Sequence, residues 1–169
     1  MGQDNILELF FEEPNRLFQI REIGRLTKIP KTTVERRLKE LVKEKLIFRK
    51  KENVVGYIAN ENEKRFRLMK RIMLLEKIEK SGLIEELEKK FYPKCIILFG
   101  SFSKGEHNRE SDIDLFVQSK EKNYDLSGFE RKLKHTINLF FEEKLSKLSD
   151  ELFNNIINGI KLAGYIKLR

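Results

Sequence analysis

The chain is 169 residues long and 37% charged, with 35 Lys and Arg against 27 Asp and Glu for a formal net charge of +8. That length is long for one small domain and short for two average ones, so two compact units of about 60 to 100 residues are expected. A single cysteine, Cys95, excludes an internal disulfide and fits a reducing compartment. No apolar run nears the ~18 residues of a membrane span and no signal pattern opens the chain, so a cytoplasmic protein is expected. The charge is unevenly spread: residues 1–80 hold 20 Lys and Arg against 13 Asp and Glu (+7), and residues 81–169 hold 15 against 14 (+1). A basic first part predicts an anionic partner, and nucleic acid is the expected one.

In chain order, Ile6, Leu7, Leu9 and Phe10 predict a first helix that Pro14 ends. Phe18 to Leu26 predicts a short second helix, with Lys28-Ile29-Pro30 as the turn after it. Pro30 suits a helix start, and Thr32 with Glu35 has capping-box spacing. Along the third helix Val34, Leu38, Leu41 and Val42 form a core stripe, with Thr32, Arg36, Lys39 and Lys43 on the opposite side. Two strands, Leu46 to Arg49 and Val54 to Ile58, then read as a hairpin around the polar tip Lys50-Lys51-Glu52-Asn53.

Three helices and a hairpin in this order resemble a winged helix-turn-helix, over residues 1–60. The resemblance implies duplex DNA as partner, with a recognition helix at about Lys31 to Glu44 in the major groove and the hairpin against the backbone. From Lys28 to Lys51 there are ten basic residues and three acidic ones. Lys31, Arg37, Lys39, Lys43, Lys50 and Lys51 are expected to meet phosphates, and Thr32, Thr33 and Arg36 to reach bases.

Residues 61–82 predict a linker helix. Phe66, Leu68, Met69, Ile72, Met73 and Leu75 cover an arc wider than one surface needs, so packing between domains or a homodimer through 61–80 is expected. The second domain, residues 83–169, begins with a helix from Leu83 to Phe91. Later, Ser127 with Glu130 predicts a capped helix, Thr136 to Phe141 a strand, Ser149 the start of a helix that Gly159 ends, and Ile160 to Leu168 an apolar tail. The sum is a small mixed sheet with helices on one face, hence an α/β (α+β) chain. His107 reads as loop surface and His135 as a helix-end residue.

Chemistry concentrates in Leu98-Phe99-Gly100-Ser101-Phe102-Ser103-Lys104-Gly105-Glu106 and in Ser111-Asp112-Ile113-Asp114-Leu115-Phe116-Val117. An apolar run breaks at Gly-Ser, and the next apolar run carries two aspartates two residues apart. Positions i and i+2 of a strand share a face, so Asp112 and Asp114 converge. Two such carboxylates suit a hard divalent cation, Mg²⁺ or Mn²⁺, with phosphate oxygens completing its shell. At the turn Gly100 admits a close backbone approach to phosphate and Ser101 offers a hydroxyl. Lys104 and Arg109 flank the loop as cations available to phosphate charge.

This compound motif resembles the DNA polymerase beta-type nucleotidyltransferase superfamily, closest to its minimal prokaryotic members, with an archaeal character. The likeness spans roughly Phe91 to Tyr165. It implies that Gly100 and Ser101, with Lys104, contact a nucleoside triphosphate, and that Asp112 and Asp114 are catalytic metal ligands. Family members active in transfer carry a third carboxylate on a later strand, and the matching position here is Asn138, which cannot take a proton. Glu142 shares its strand parity but lies about 13 Å further along. Nucleotide and metal binding are therefore expected ahead of transfer to a hydroxyl acceptor. The alternatives are a non-catalytic transcription regulator whose second domain senses a nucleotide or contacts a partner, and an antitoxin-like protein with a toxin-like partner.

Overall fold

The computed structural model describes residues 4–51, 54–121 and 123–167. The chain divides into two compact units, residues 1–70 and 71–169. The expected hairpin tip at Glu52-Asn53 and the tail residue Leu168 lie outside the described residues.

The first unit holds α1 (Asn5–Glu12), α2 (Ile20–Thr27), α3 (Lys31–Lys43) and the antiparallel strands β1 (Ile47–Lys51) and β2 (Val55–Ala59). Asp4 caps α1 by accepting from the Leu7 N–H at 3.1 Å. The expected second helix starts later, because Phe18 instead pairs with Tyr57 through two 2.8 Å backbone bonds. Pro30 is the N-cap of α3, so the Thr32–Glu35 box does not form there; box-type geometry occurs at α2, where Glu22 accepts from the Gln19 N–H at 3.4 Å. Val34, Leu38 and Leu41 are fully buried along α3, with Ile6, Leu7, Phe10, Phe18 and Ile23 among the buried apolar residues of the other elements. That burial, at roughly 1.5 to 3 kcal/mol per large side chain, is what holds the three helices together.

A long helix, α4 (Lys64–Ser81), contains the boundary between the units. Phe66, Lys70, Leu74 and Ile78 are its buried positions, spaced four apart, while Leu68 and Ile72 are exposed. Its buried stripe is thus narrower than the composition predicts.

In the second unit α5 (Leu83–Phe91) leads to a four-stranded sheet in the order β5-β4-β3-β6. Here β3 is Cys95–Phe99, β4 Ile113–Val117, β5 Ile137–Phe141 and β6 Ile160–Gly164. β3 runs antiparallel to both its neighbours, and β4 and β5 are parallel, joined through α7 (Ser127–Leu133). Ile96, Leu98, Ile113, Leu115, Val117 and Ile137 pack with Leu83, Leu87 and Leu133. The other face is covered as well, since α8 (Asp150–Ile157) brings Ile156 and Leu152 against Cys95, Ile97, Phe99 and Phe116. Helices on one face were expected; alternate residues of β3 are apolar on both sides, and both sides are covered. Ser149 caps α8 as predicted, accepting from the Leu152 N–H at 3.3 Å. The Ser127–Glu130 box is replaced by Asp125, which accepts from the Ser127 N–H at 2.9 Å, while Glu130 turns to the Ile137 N–H at 3.0 Å.

Lys70 is 1% exposed. Loss of hydration pushes its ammonium down to about 8, against the opposing pull of Glu61 and Glu12. Between that value and the ordinary 10.5 the unfolded chain keeps a proton that the folded chain has released, so stability rises with pH across this window; below it the penalty stands in full. In urea unfolding, wild type is expected to gain about 2 to 3 kcal/mol on Lys70→Met between pH 8 and pH 10.5, with no relative change from pH 6 to 7.5. A difference that stays flat to pH 10.5 would show that Lys70 ionises normally in the fold.

Candidate active site

The site is built by strand register. Phe99, the last residue of β3, pairs with Asp114, so the chain leaves the sheet beside that carboxylate. It turns at Gly100 into the short helix α6 (Gly100–Lys104). Gly100 has φ +70°, and a Cβ built on it would lie 2.6 Å from Asp114 Oδ2. Only glycine meets both demands, a left-handed backbone and a carboxylate against its Cα. The loop back to β4 is held by backbone bonds from Glu106 to Ser101 at 2.9 Å and from Ser111 to Asn108 at 3.1 Å.

Ile113, Leu115 and Val117 bury one side of β4, so Asp114 faces the side that carries Phe99 and Phe116. Asp112 stands just ahead of β4 and is exposed; Asp114 is half-buried. The parallel pairing sets Asn138 of β5 directly opposite Asp114. Its Nδ2 donates to Asp114 Oδ1 at 3.1 Å and, more weakly, to Asp112 Oδ2 at 3.4 Å. Gly100, Asp112, Asp114 and Asn138 are thus drawn together, with Ser101 half-buried and Lys104 exposed on α6. Glu142 lies past the end of β5 and accepts from the Lys144 N–H at 3.0 Å.

The two carboxylates suit a hard divalent cation, with the Asn138 amide beside them donating to both. Among the described residues no group of three His, Cys, Asp or Glu is arranged to hold a metal ion. A surface cleft lined by Tyr92, Lys94, Gln118, Ser119, Lys120 and Glu143 lies at the other end of β4 and takes no part in this arrangement.

His135 follows the end of α7 as expected, whereas His107 lies in a loop but is not at the surface. His107 is 4% exposed and stacks on Phe102 with ring centres 4.0 Å apart. His135 is 8% exposed, meets Phe102 edge-on at 5.0 Å, and its Nδ1 lies 2.9 Å from the carbonyl of Ser111, the residue before Asp112. Phe102 immediately follows Ser101, so this buried aromatic group underlies both halves of the motif. Phe140, two residues beyond Asn138, is 40% exposed and sits edge-on to Phe99 at 5.2 Å. Neither its exposure nor the burial of the histidines follows from spacing alone; the alternation of β5 was the one available signal, since it puts Phe140 on the Asn138 face.

In the first unit Thr32, Arg36, Lys39 and Lys43 lie exposed along α3, as do Lys31 on that helix and Lys50 and Lys51 on β1, and Thr33 is half-buried. Lys31 is 3.5 Å from Glu35. Arg37 departs from the expected phosphate-facing set: its Nε donates to Asp4 at 2.7 Å and its NH1 to Glu40 at 3.0 Å, with its side chain 26% exposed. It ties α3 to the cap of α1.

The nucleotidyltransferase domain family model matches residues 80–163. A protein of Methanocaldococcus jannaschii, named as a candidate protein adenylyltransferase, is 50% identical over 38 residues, which is 22% of this chain and 38% of that relative. The alignment therefore spans well under half of the relative's length. No solved structure matches the chain. Residues 80–163 of the second unit are thus similar to a nucleotidyltransferase domain, and the mixed α/β fold is consistent with one.

Gly100→Ala is expected to lower stability by about 1 to 2 kcal/mol, through an L-residue forced to positive φ, and to displace the Asp114 carboxylate. The check is the Asn138 side-chain amide resonance, which should shift as its bond to Asp114 is lost. An unmoved resonance would mean that Asp114 does not rest on Gly100.

Proposed function

We propose that the second unit binds a nucleoside triphosphate with a divalent cation and transfers its nucleotidyl group to a hydroxyl acceptor, and that the first unit is a winged helix that binds duplex DNA. One observation carries the first half: the Asp114 carboxylate lies against the Cα of Gly100, so the phosphate-type turn and the acidic pair share one site. Asp112 and Asp114 would hold the cation, which neutralises charge on the phosphates when bound. Gly100 and Ser101 would receive the outer phosphates through backbone N–H groups and the Ser101 hydroxyl, with Lys104 beside them. The acceptor oxygen forms a bond to the α-phosphorus as the bond to the bridging oxygen breaks in line, and pyrophosphate leaves. Asn138 has no free lone pair of carboxylate basicity, so the acceptor proton goes to solvent or to a base on the acceptor. The relative's name supports a protein as acceptor.

Asn138 also favours a second reading, a regulator that binds nucleotide without transferring it. The two readings part on one assay, in which the protein is incubated with α-labelled nucleoside triphosphates, Mg²⁺ or Mn²⁺ and cell extract. Label on a macromolecule, lost more than about 100-fold in Asp112→Asn with Asp114→Asn, is expected for the transferase. Nucleotide retention without label supports the regulator. Retention unchanged in the double variant would remove the site from both readings.

The winged-helix reading rests on the element order and on the exposed stripe Thr32, Arg36, Lys39 and Lys43. Affinity of the full chain for duplex DNA is expected to fall steeply with salt, each neutralised phosphate adding about −0.9 to the log–log slope. Lys39→Ala and Lys43→Ala should each flatten that slope by about one such increment. Arg37→Ala should lower thermal stability and leave the slope alone, because its guanidinium is held by Asp4 and Glu40. An affinity indifferent to salt would turn the first unit into a protein-contact module.

A further inference from the structure

We infer that the site formed by Asp112, Asp114 and Asn138 takes one divalent cation per bound nucleotide, where a three-carboxylate site of this geometry would take two. The inference rests on the nucleotide-binding reading above and concerns only the number of ions held. Two metal ions in a phosphoryl-transfer site stand about 3.5 to 4 Å apart. Two dications at that distance repel about four times as strongly as two unit charges, so the site needs anionic ligands between and around them. Here the protein supplies two negative charges, not three. The third position, directly across from Asp114, holds a neutral amide.

That amide is also committed as a donor. The Asn138 Nδ2 group reaches both carboxylates, at 3.1 Å and 3.4 Å, and so holds the place between them that a bridging cation would take. Asp114 Oδ2 is turned the other way, against Gly100, toward the side where the triphosphate would lie. One carboxylate edge is thus directed to the nucleotide and the other is closed by hydrogen bonds. Turning the amide over would offer one neutral oxygen and remove both donated bonds, a poor exchange for a second ion. The cation expected to remain is the one that the phosphates bring with them.

The test is equilibrium dialysis of the full chain with Mn²⁺ and a non-hydrolysable nucleoside triphosphate analogue, counting metal and nucleotide together and recording the Mn²⁺ paramagnetic resonance spectrum. Wild type should retain one Mn²⁺ per nucleotide with an uncoupled spectrum. Asn138→Asp should retain two, with the spectrum of a coupled pair, and Asn138→Ser, which removes the amide without adding charge, should retain one. Two ions in wild type, or one in a folded Asn138→Asp, would overturn the inference while leaving the nucleotide site standing. Retention of neither metal nor nucleotide above the level of Asp112→Asn with Asp114→Asn would bring down the nucleotide reading itself, and this inference with it.

Discussion

The pairing register of three strands is the constraint on which everything else in the second unit depends. Phe99 opposite Asp114 brings the glycine turn to the carboxylate, and Asp114 opposite Asn138 brings the amide to it from the other side. Side chains alternate along a strand, so a slip of one residue in β4 would turn Asp114 into the apolar face and Leu115 out of it. The burial of Ile113, Leu115 and Val117 against Leu83, Leu87 and Leu133 makes that slip costly, since each fully buried branched side chain is worth roughly 1.5 to 3 kcal/mol. The hydrophobic core thus sets the geometry of the polar site, although none of the core residues touches the chemistry.

Much of this was legible in the sequence because the signals were local. The apolar runs either side of Gly-Ser and the two-residue spacing of Asp112 and Asp114 fix strand, turn and facing within a few positions. Matching Asn138 to the third ligand position needed a guess at long-range register, which the parallel pairing of β4 and β5 agrees with. Helix limits from Pro14, Pro30, Ser149 and Gly159 were readable for the same reason, because each acts on its own few peptide bonds.

What escaped sequence reading was decided by packing between distant segments. His107 and His135 carry no spacing signal, yet both pack on Phe102 of α6, from positions 28 residues apart in the chain. Arg37 looked like any cation of a basic helix until Asp4, 33 positions earlier, turned out to be its partner. Lys70 has two apolar neighbours four residues away on either side, Phe66 and Leu74, and only the fold shows that the stripe continues through it. Thr32–Glu35 and Ser127–Glu130 have box spacing, but a helix starts where its φ/ψ values start. Pro30 and Leu126 set those starts, leaving each pair within its helix.

Asn138 changes what the site is when no cation is present. Three carboxylates converging on one point repel, and such a site stays open or protonated until a metal arrives. With an amide as the third member, the same three positions attract, since one NH₂ group bonds both aspartates. The site is therefore assembled in advance, at the cost of a weaker field for cations. Pre-assembly favours binding a ligand that carries its own metal and its own charge, as a nucleoside triphosphate does, and disfavours the step in which a protein carboxylate must take a proton from the acceptor. On the reading proposed above, an amide opposite Asp114 would suit holding a nucleotide better than deprotonating an acceptor, and any transfer would have to draw its base from elsewhere.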